Sequence, residues 1–160
     1  MIVISDTSAI SNLLQIGRIE ILKSLYGKIY ISPAVQRELY LYGDHSEQIE
    51  KLDWVEIKYP KNQKLVQQLL KDLDLGESES IVLAIEENAN YLIIDEYLGR
   101  KIAHSMNVKV VGILGVLILA KQEGLLPEIR SSIESLLAIG FRLNKDLINT
   151  VLVGLSENEF

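Results

Sequence analysis

Short apolar runs alternate with segments of helical periodicity along the whole chain. The runs are rich in β-branched residues, which favours buried strands, and they lie at 2–4, 28–31, 54–58, 91–94 and 109–111. The helical segments lie at 9–16, 18–26, 33–42, 62–73, 76–88, 96–106, 115–123, 128–139 and 145–155. Strands separated by helices pair in parallel through right-handed crossovers. The pattern therefore predicts a three-layer α/β fold around a five-stranded parallel sheet.

Helix boundaries carry recognisable signals. Ser32 and Pro33 form an N-cap and first-turn pair, and Asn144 precedes the last helix. Gly17 and Gly27 follow helical segments, as C-terminal glycines do. No repeat or linker divides the chain. We expect a single domain over 1–160, with 141–160 as a C-terminal helical extension.

Composition narrows the possible chemistry. The 160 residues include no cysteine and only two histidines, His45 and His104. This excludes disulfides, thiolate zinc sites and three-histidine zinc centres. The net charge of −6 argues against a protein that coats nucleic acid, although a bound cation can invert the local field. No segment suits a secretion signal or a membrane span, so a cytoplasmic protein without membrane contact is expected.

Acidic residues follow two of the predicted strands. Asp6 comes after the first strand, and Asp95 and Glu96 come after the fourth. Sites in open parallel sheets form at the carboxyl ends of the strands. Glu38 and Glu77 add acids from helices, each beside the apolar stripe of its helix. A carboxylate on a buried face is costly unless it is paired or bound to a metal.

Each acid also has a purely structural interpretation. Asp6 and Asp95 can cap helices, Glu96 and Glu77 can be first-turn acids, and Glu38 can be a solvated helix residue. These alternatives do not explain why separate elements bring acids to one edge of the sheet. Clustered carboxylates without Cys or His suit Mg²⁺ or Mn²⁺. The matching reaction is attack of a metal-activated water on a phosphodiester.

The order of these segments resembles PIN-domain ribonucleases. The opening IVISDTSAISNLLQIGRIEIL resembles their first motif, ISPAVQREL the second, and GESESIVLAIEENANYLIIDE the third and fourth acidic regions. A prokaryotic PIN-like group of uncharacterised proteins is closer still. It shares a Gly-Glu-x-Glu segment, a VVGILGVLILAKQEGLLP-like stretch and a terminal GFRLN segment. The resemblance extends to about residue 152.

The resemblance implies a sheet of order 3-2-1-4-5 and Mg²⁺- or Mn²⁺-dependent cleavage of RNA. In this family such an enzyme is often the toxin of a toxin–antitoxin pair, with a small antitoxin protein as partner. Carried onto this chain, it makes Asp6 the central metal ligand with Glu38, Glu77 and Asp95 around it. Thr7 or Ser8 would then support the first loop and the substrate through hydroxyl contacts.

The chain departs from the family pattern at two points. The third acid is Glu77 where many relatives have Asp, and Glu79 is a rival for that role. Many relatives carry a further acid a few residues past the fourth motif, where this chain has Leu98 and Gly99. Glu96 is then the substitute ligand.

Several weaker signals remain open. Arg100 and Lys101 follow Asp95 and are candidates for substrate phosphates, or are simply solvated. The leucine-rich segment 13–25 suits a homodimer face or the core equally well. The spacing of Gly112 and Gly115 favours close strand–helix packing over a phosphate loop.

Other functions fit the motifs less well. A haloacid-dehalogenase-like phosphatase needs a second acid two residues after the first, and Ser8 stands there. A receiver domain needs paired acids after strand one and a lysine at the end of a late strand, whereas Lys109 begins its strand. The main alternative is a catalytically inactive PIN-like module that binds RNA or protein.

Overall fold

Five short strands form one parallel sheet in the computed structural model, which describes residues 1–41 and 46–160. The strands are β1 (Val3–Ser5), β2 (Ile29–Ile31), β3 (Val55–Ile57), β4 (Tyr91–Ile93) and β5 (Val110–Val111). Their order is β3-β2-β1-β4-β5, and every neighbouring pair is parallel. The predicted fold class and strand order are confirmed.

Helices connect the strands and cover both faces of the sheet. In chain order they are α1 (Thr7–Gln15), α2 (Glu20–Tyr26), α3 (Pro33–Leu41), α4 (Ser46–Glu50), α5 (Gln63–Leu69), α6 (Leu75–Glu86), α7 (Tyr97–Ser105), α8 (Ile113–Gln122), α9 (Arg130–Ala138) and α10 (Lys145–Gly154). The predicted end of the third helix near residues 42 and 43 and the loop position of His45 lie outside the described residues.

The side chains of each strand point alternately to the two faces of the sheet, and this divides the hydrophobic core into two parts. Val3 and Ile93 point to the side covered by α1, α2, α8 and α9, whereas Ile4 and Leu92 point to the side covered by α5, α6 and α7. All four side chains are fully buried. Successive strand residues face opposite sides, so continuous apolar runs such as residues 2–4 suit a sheet that is covered on both faces.

Several helices begin earlier than the sequence predicts, because the residue before each takes the N-cap position. Asp6 precedes α1, Asp74 precedes α6 and Gly112 precedes α8, each with extended backbone angles. At α3 the prediction is accurate, since the Ser32 hydroxyl accepts a hydrogen bond from the Val35 amide at 3.1 Å. The sequence analysis missed α4, because its 5 residues are too few for periodicity to show.

The C-terminal segment packs into the core. Ile148 and Leu152 of α10 are buried in the cluster that also holds α8 and α9. The Glu157 carboxylate accepts hydrogen bonds from the Ile129 and Arg130 amides, and it pairs with Lys121 at 2.6 Å. Within the described residues, no helix is both long enough and apolar enough to cross a bilayer.

Candidate active site

A cleft of about 410 Å³ opens at the carboxyl edge of the sheet. Its walls come from the start of α1, from α3, from the start of α6 and from the residue that precedes α7. Among the described residues, five carboxylates and four uncharged polar side chains line it, and no lysine or arginine does; these residues are Asp6, Thr7, Ser8, Ser11, Asn12, Glu38, Asp74, Glu77 and Glu96. The edge is the one at which a parallel sheet is expected to form its site.

Asp6 lies at the base of this cleft, directly after β1. Its backbone amide donates to the Ile93 carbonyl at 2.9 Å, which ties the residue to β4. Although Asp6 occupies the N-cap position of α1, its side chain makes no capping hydrogen bond. The side chain is 6% exposed, and Oδ1 is buried without a hydrogen-bond partner among the described residues. The cap interpretation therefore does not account for this carboxylate.

Glu38 is held in the cleft by neighbours on two other elements. The Thr7 hydroxyl donates a hydrogen bond to its Oε2. On the opposite side, a Cβ atom added to Gly76 would lie only 2.6 Å from Glu38 Oε1, which is closer than real Cβ contacts come. Glycine at the start of α6 thus leaves the space that the Glu38 carboxylate occupies. Thr7 orients a carboxylate, as well as lining the cleft.

Glu77 and Glu79 have different environments although both are nearly buried. Glu77 is 7% exposed and lines the cleft, and its Oε1 accepts from the Asp74 amide at 3.1 Å. Glu79 is 8% exposed, and its Oε1 accepts from the Ala34 amide at 2.9 Å. Since that amide belongs to the first turn of α3, Glu79 joins two helices away from the cleft. The geometry brings Glu77, and not Glu79, to the other acids.

Asp95 and Glu96 are adjacent in the sequence, but their side chains have different surroundings. Glu96 lines the cleft and caps α7, where its Oε2 accepts from the Gly99 amide at 2.5 Å. Asp95 does not line the cleft. Its Oδ1 accepts from the Ile113 amide at the start of α8 at 3.0 Å, whereas Oδ2 is buried without a hydrogen-bond partner in the described part of the chain.

The two predicted phosphate-binding cations lie outside the cleft lining. Arg100 donates from Nη1 to the Ile94 carbonyl at 3.0 Å and lies beside Asp95. Lys101 is exposed on α7.

Three cleft residues escaped the sequence analysis. Ser11 and Asn12 lie three and four positions after Ser8, so the three share one face of α1. Asp74 stands three positions before Glu77 in the spacing of a capping box. That spacing was a usable signal for Asp74. The Ser11 and Asn12 side chains carry no comparable pattern.

Comparison with known proteins identifies the family. The model of a family described as DUF3368, a PIN domain, matches residues 2–157. The chain belongs to this PIN-domain family. No curated protein matches the sequence.

One solved structure supports the fold of this PIN domain. It is a PilT N-terminus domain protein from the hyperthermophilic archaeon Sulfolobus solfataricus P2, with a TM-score of 0.54 and 24% sequence identity. The match covers 72% of this chain and 90% of that one. PIN domains are in general nucleases, and those nucleases typically use divalent metals.

Burial and, to a smaller extent, the crowding of like charges raise the pKa values of carboxylates in the PIN-domain cleft. Burial, with a smaller effect from Asp74, Glu38 and Asp95, raises the pKa of Asp6 from 3.8 to about 7. Burial also raises the pKa of Glu77, and the charges of Asp74 and Asp6 add to this. The pKa of Glu38 is raised by burial too, against the opposing hydrogen bond from Thr7. Among these three, Glu38 alone is acted on by a positive charge from the described residues, that of Arg37, and its effect is smaller than that of burial.

The donor set suits a hard divalent cation, although the side chains do not yet enclose one. The described lining offers carboxylate, hydroxyl and amide oxygens and no imidazole or thiolate, and within it the buried Asp6 Oδ1 has no hydrogen-bond partner. In the part of the chain that the structure describes, no three acids or histidines are gathered closely enough to hold an ion as they stand. Binding of Mg²⁺ or Mn²⁺ would therefore draw carboxylates together across the cleft.

Proposed function

We propose that this PIN domain is a Mg²⁺- or Mn²⁺-dependent endoribonuclease whose reaction takes place in the acidic cleft. The observation that carries the proposal is the lining itself, in which the described residues place five carboxylates and no basic side chain. Such a surface repels a phosphodiester unless a cation lies between them. The choice of RNA as the nucleic acid that is cut rests on the family resemblance.

Asp6, Glu38 and Glu77 are the proposed cation-holding carboxylates, with Glu96 at the mouth of the cleft. A bound Mg²⁺ or Mn²⁺ would supply Lewis-acid activation of water and neutralise the charge of the scissile phosphate. Thr7 keeps the Glu38 carboxylate turned into the cleft through its hydroxyl. Ser8 faces the same space and is the proposed contact for a non-bridging phosphate oxygen or a ribose hydroxyl.

Asp95 enters the proposal as a positioning residue. Its charge acts on Asp6, and its Oδ1 holds the Ile113 amide at the start of α8. Burial raises the pKa of Asp95, and the Ile113 amide and the Arg100 guanidinium beside it offset part of that rise. Asp95 thus links the base of the cleft to the neighbouring helix. Lys101, the more exposed of the two basic residues, remains a proposed phosphate contact.

A biological role as toxin of a toxin–antitoxin pair, with a small antitoxin protein as partner, follows from the family resemblance alone. The same holds for a homodimer. On that resemblance we propose that the protein is such a toxin, with an antitoxin partner, and that it forms a homodimer.

The second candidate is a catalytically inactive PIN-like module that binds RNA or protein. The absence of a tight three-ligand cluster among the described residues favours it. RNA cleavage measured with Mg²⁺, with Mn²⁺ and with excess chelator separates the two. A nuclease cuts end-labelled RNA only with the metal, and Asp6→Asn does not cut at all. RNA that stays intact under all three conditions, while the protein still binds it, supports the inactive module.

A further inference from the structure

Asp74 lies at the entrance to α6 and faces the cleft. It forms a reciprocal capping box with Glu77, in which Asp74 Oδ1 accepts from the Glu77 amide at 2.8 Å and Glu77 Oε1 accepts from the Asp74 amide at 3.1 Å. Each carboxylate therefore uses one oxygen for the cap, and its second oxygen accepts from no N–H donor among the described residues. The two carboxylates also lie within hydrogen-bond reach of each other, which contributes to the raised pKa of Glu77. The capping box fixes both side chains relative to the same turn of helix.

The Asp74 charge lies close to the three proposed cation-holding carboxylates. Its electrostatic effect reaches Asp6, Glu38 and Glu77, and at Asp6 it exceeds the effects of Glu38 and Asp95. Charge–charge interaction weakens with distance, so this ranking supports what the cleft lining shows. Asp74 belongs to the group of acids that surrounds the cleft, although it follows no strand.

A second feature of the same cleft indicates a missing positive partner. Asp6 is 6% exposed, it lines the cleft, and its Oδ1 has no hydrogen-bond partner in the described residues. A buried carboxylate oxygen without a partner is costly. A cation bound between Asp6 and the second oxygen of Asp74 satisfies both groups.

Asp95 is less suited to this position. It stands outside the cleft lining, and one of its oxygens already accepts from the Ile113 amide. Its other oxygen is buried, whereas the Asp74 side chain is exposed to the cleft. An acid on the entrance loop of α6 thus reaches the open part of the site, which the acid after β4 does not.

We propose that Asp74 supplies a carboxylate oxygen directly to the divalent cation held by Asp6, Glu38 and Glu77. This inference rests on the proposed metal-dependent function. It adds a ligand from a capping position, so that binding of the cation and the start of α6 depend on the same side chain.

Calorimetric titration of the whole protein with Mn²⁺ tests the proposal. Asp74→Asn keeps an oxygen acceptor for the Glu77 amide and removes the charge. Asp72→Asn is the matched control, because Asp72 is exposed two positions away and lies outside the cleft lining. We expect Asp74→Asn to weaken Mn²⁺ binding about tenfold or more, as loss of a supporting ligand does. The control should bind within twofold of wild type.

Salt separates a direct ligand from a distant charge. At 1 M KCl the screening length is about 3 Å, so a purely long-range effect of Asp74 disappears and a direct contact persists. Asp74→Ser keeps a capping hydroxyl and should show the same loss, which guards against a folding defect in one variant. The proposal is overturned if Asp74→Asn binds Mn²⁺ as tightly as Asp72→Asn, or if its loss vanishes at 1 M KCl.

The same titration, combined with the cleavage assay, distinguishes failure of the Asp74 proposal from failure of the proposed nuclease function. Wild type that binds Mn²⁺ and cuts RNA, with Asp74→Asn unaffected in binding, leaves the proposed function standing and removes Asp74 from the site. Wild type that neither binds Mn²⁺ nor cuts RNA overturns both.

Discussion

At the residue scale, Asp6 is the side chain whose surroundings are least explained by folding alone. It stands where an aspartate normally caps a helix, yet it forms no cap, and one oxygen has no partner in the described residues. Folding buries this carboxylate beside other acids. The arrangement costs stability in the free protein and prepares a site for positive charge.

This cost predicts how stability depends on pH. The pKa of Asp6 is raised from 3.8 to about 7, so the folded protein binds a proton there more tightly than the unfolded chain does. Without metal, the contribution is fully present below 3.8 and is lost as the pH rises through about 7. Asp6→Asn removes the penalty. In chelator at pH 8, we expect the variant to be more stable than wild type by at least about 1 kcal/mol.

Thermal melts in chelator and in Mg²⁺ measure this. Mg²⁺ should stabilise wild type, by about 2.7 kcal/mol at one hundred times its dissociation constant, and Asp6→Asn much less. Asp72→Asn, with the same change of charge at an exposed position, should melt like wild type in both buffers. If Asp6→Asn is instead destabilised in chelator, the residue has a structural role and the cation interpretation of Asp6 is wrong.

At the element scale, close packing of α6 against α3 determines where Glu38 can lie. Gly76→Ala would place a Cβ 2.6 Å from Glu38 Oε1 and push the carboxylate away from Thr7. We expect cleavage to fall at least about tenfold, since an error of about 1 Å in a catalytic position can cost 100-fold. Stability should change by less than about 1 kcal/mol, because alanine is a good helix former.

Gly154→Ala is the matched control for this substitution. Gly154 lies in α10, and a Cβ there meets nothing within 4 Å. That variant should keep full RNA cleavage and gain a few tenths of a kcal/mol. Equal cleavage by wild type and Gly76→Ala would contradict the role given to the close approach.

The contacts of Glu157 in the C-terminal segment lead to a prediction about stability. Glu157 accepts from the first amides of α9 and pairs with Lys121, and these contacts hold its pKa below the usual range against the effect of burial. Glu157→Ala should therefore lower the free energy of unfolding by about 0.5–2 kcal/mol at neutral pH, as lost caps do.

Acid denaturation tests whether the stabilising contribution of Glu157 is lost at low pH. Because the folded-state pKa of Glu157 is lowered, its stabilising contribution is present at neutral pH and disappears as the pH falls through that pKa. Urea melts of wild type and Glu157→Ala should converge towards low pH. A constant difference down to the acid limit would show that the charge of Glu157 contributes nothing.

The elements also show how far sequence reasoning reaches. All five strands were located, since buried parallel strands are short apolar runs with sharp ends. Helix starts shifted by one or two residues, because capping depends on backbone angles that periodicity does not report. Glu38, Glu77 and Glu96 were placed from strand ends and helix faces, and each lines the cleft. Asp74 belongs to no periodic pattern, and its capping-box spacing to Glu77 was the signal that would have located it.

The separation of Asp95 from Glu96 could not be predicted. Both follow β4, and the direction of each side chain depends on how α7 and α8 pack beside the strand. The Ile113 amide donates a hydrogen bond to Asp95, and the Gly99 amide donates one to Glu96. These contacts join residues 18 and three positions apart, and only the folded chain shows which acid meets which amide.

At the scale of the whole molecule, the net charge of −6 limits how the protein meets RNA. The part of the cleft lining that the structure describes has no basic residue, and at this net charge we expect few phosphate contacts elsewhere. Each neutralised phosphate of single-stranded RNA contributes about −0.7 to the slope of log affinity against log salt. With Mg²⁺ held constant, we expect a slope of about −2, corresponding to two or three contacts.

Filter binding with Asp6→Asn and a short RNA, at several KCl concentrations, measures the slope without cleavage. A slope near −7, which corresponds to about ten phosphates, would reveal a basic surface that the described residues do not form at the cleft.

The central claim is that the acidic cleft is the place where RNA is cut, and a pair of helix residues tests it most directly. Glu77→Gln and Glu79→Gln remove the same charge two positions apart, from side chains that are 7% and 8% exposed. Both glutamines keep an oxygen acceptor, for the Asp74 amide and the Ala34 amide respectively. Of these two residues, Glu77 lines the cleft and Glu79 does not. In Mg²⁺-dependent cleavage of end-labelled RNA, Glu77→Gln should lose activity by about 100-fold or more while Glu79→Gln keeps most of it. Loss of cleavage in Glu79→Gln with activity retained in Glu77→Gln would contradict the account.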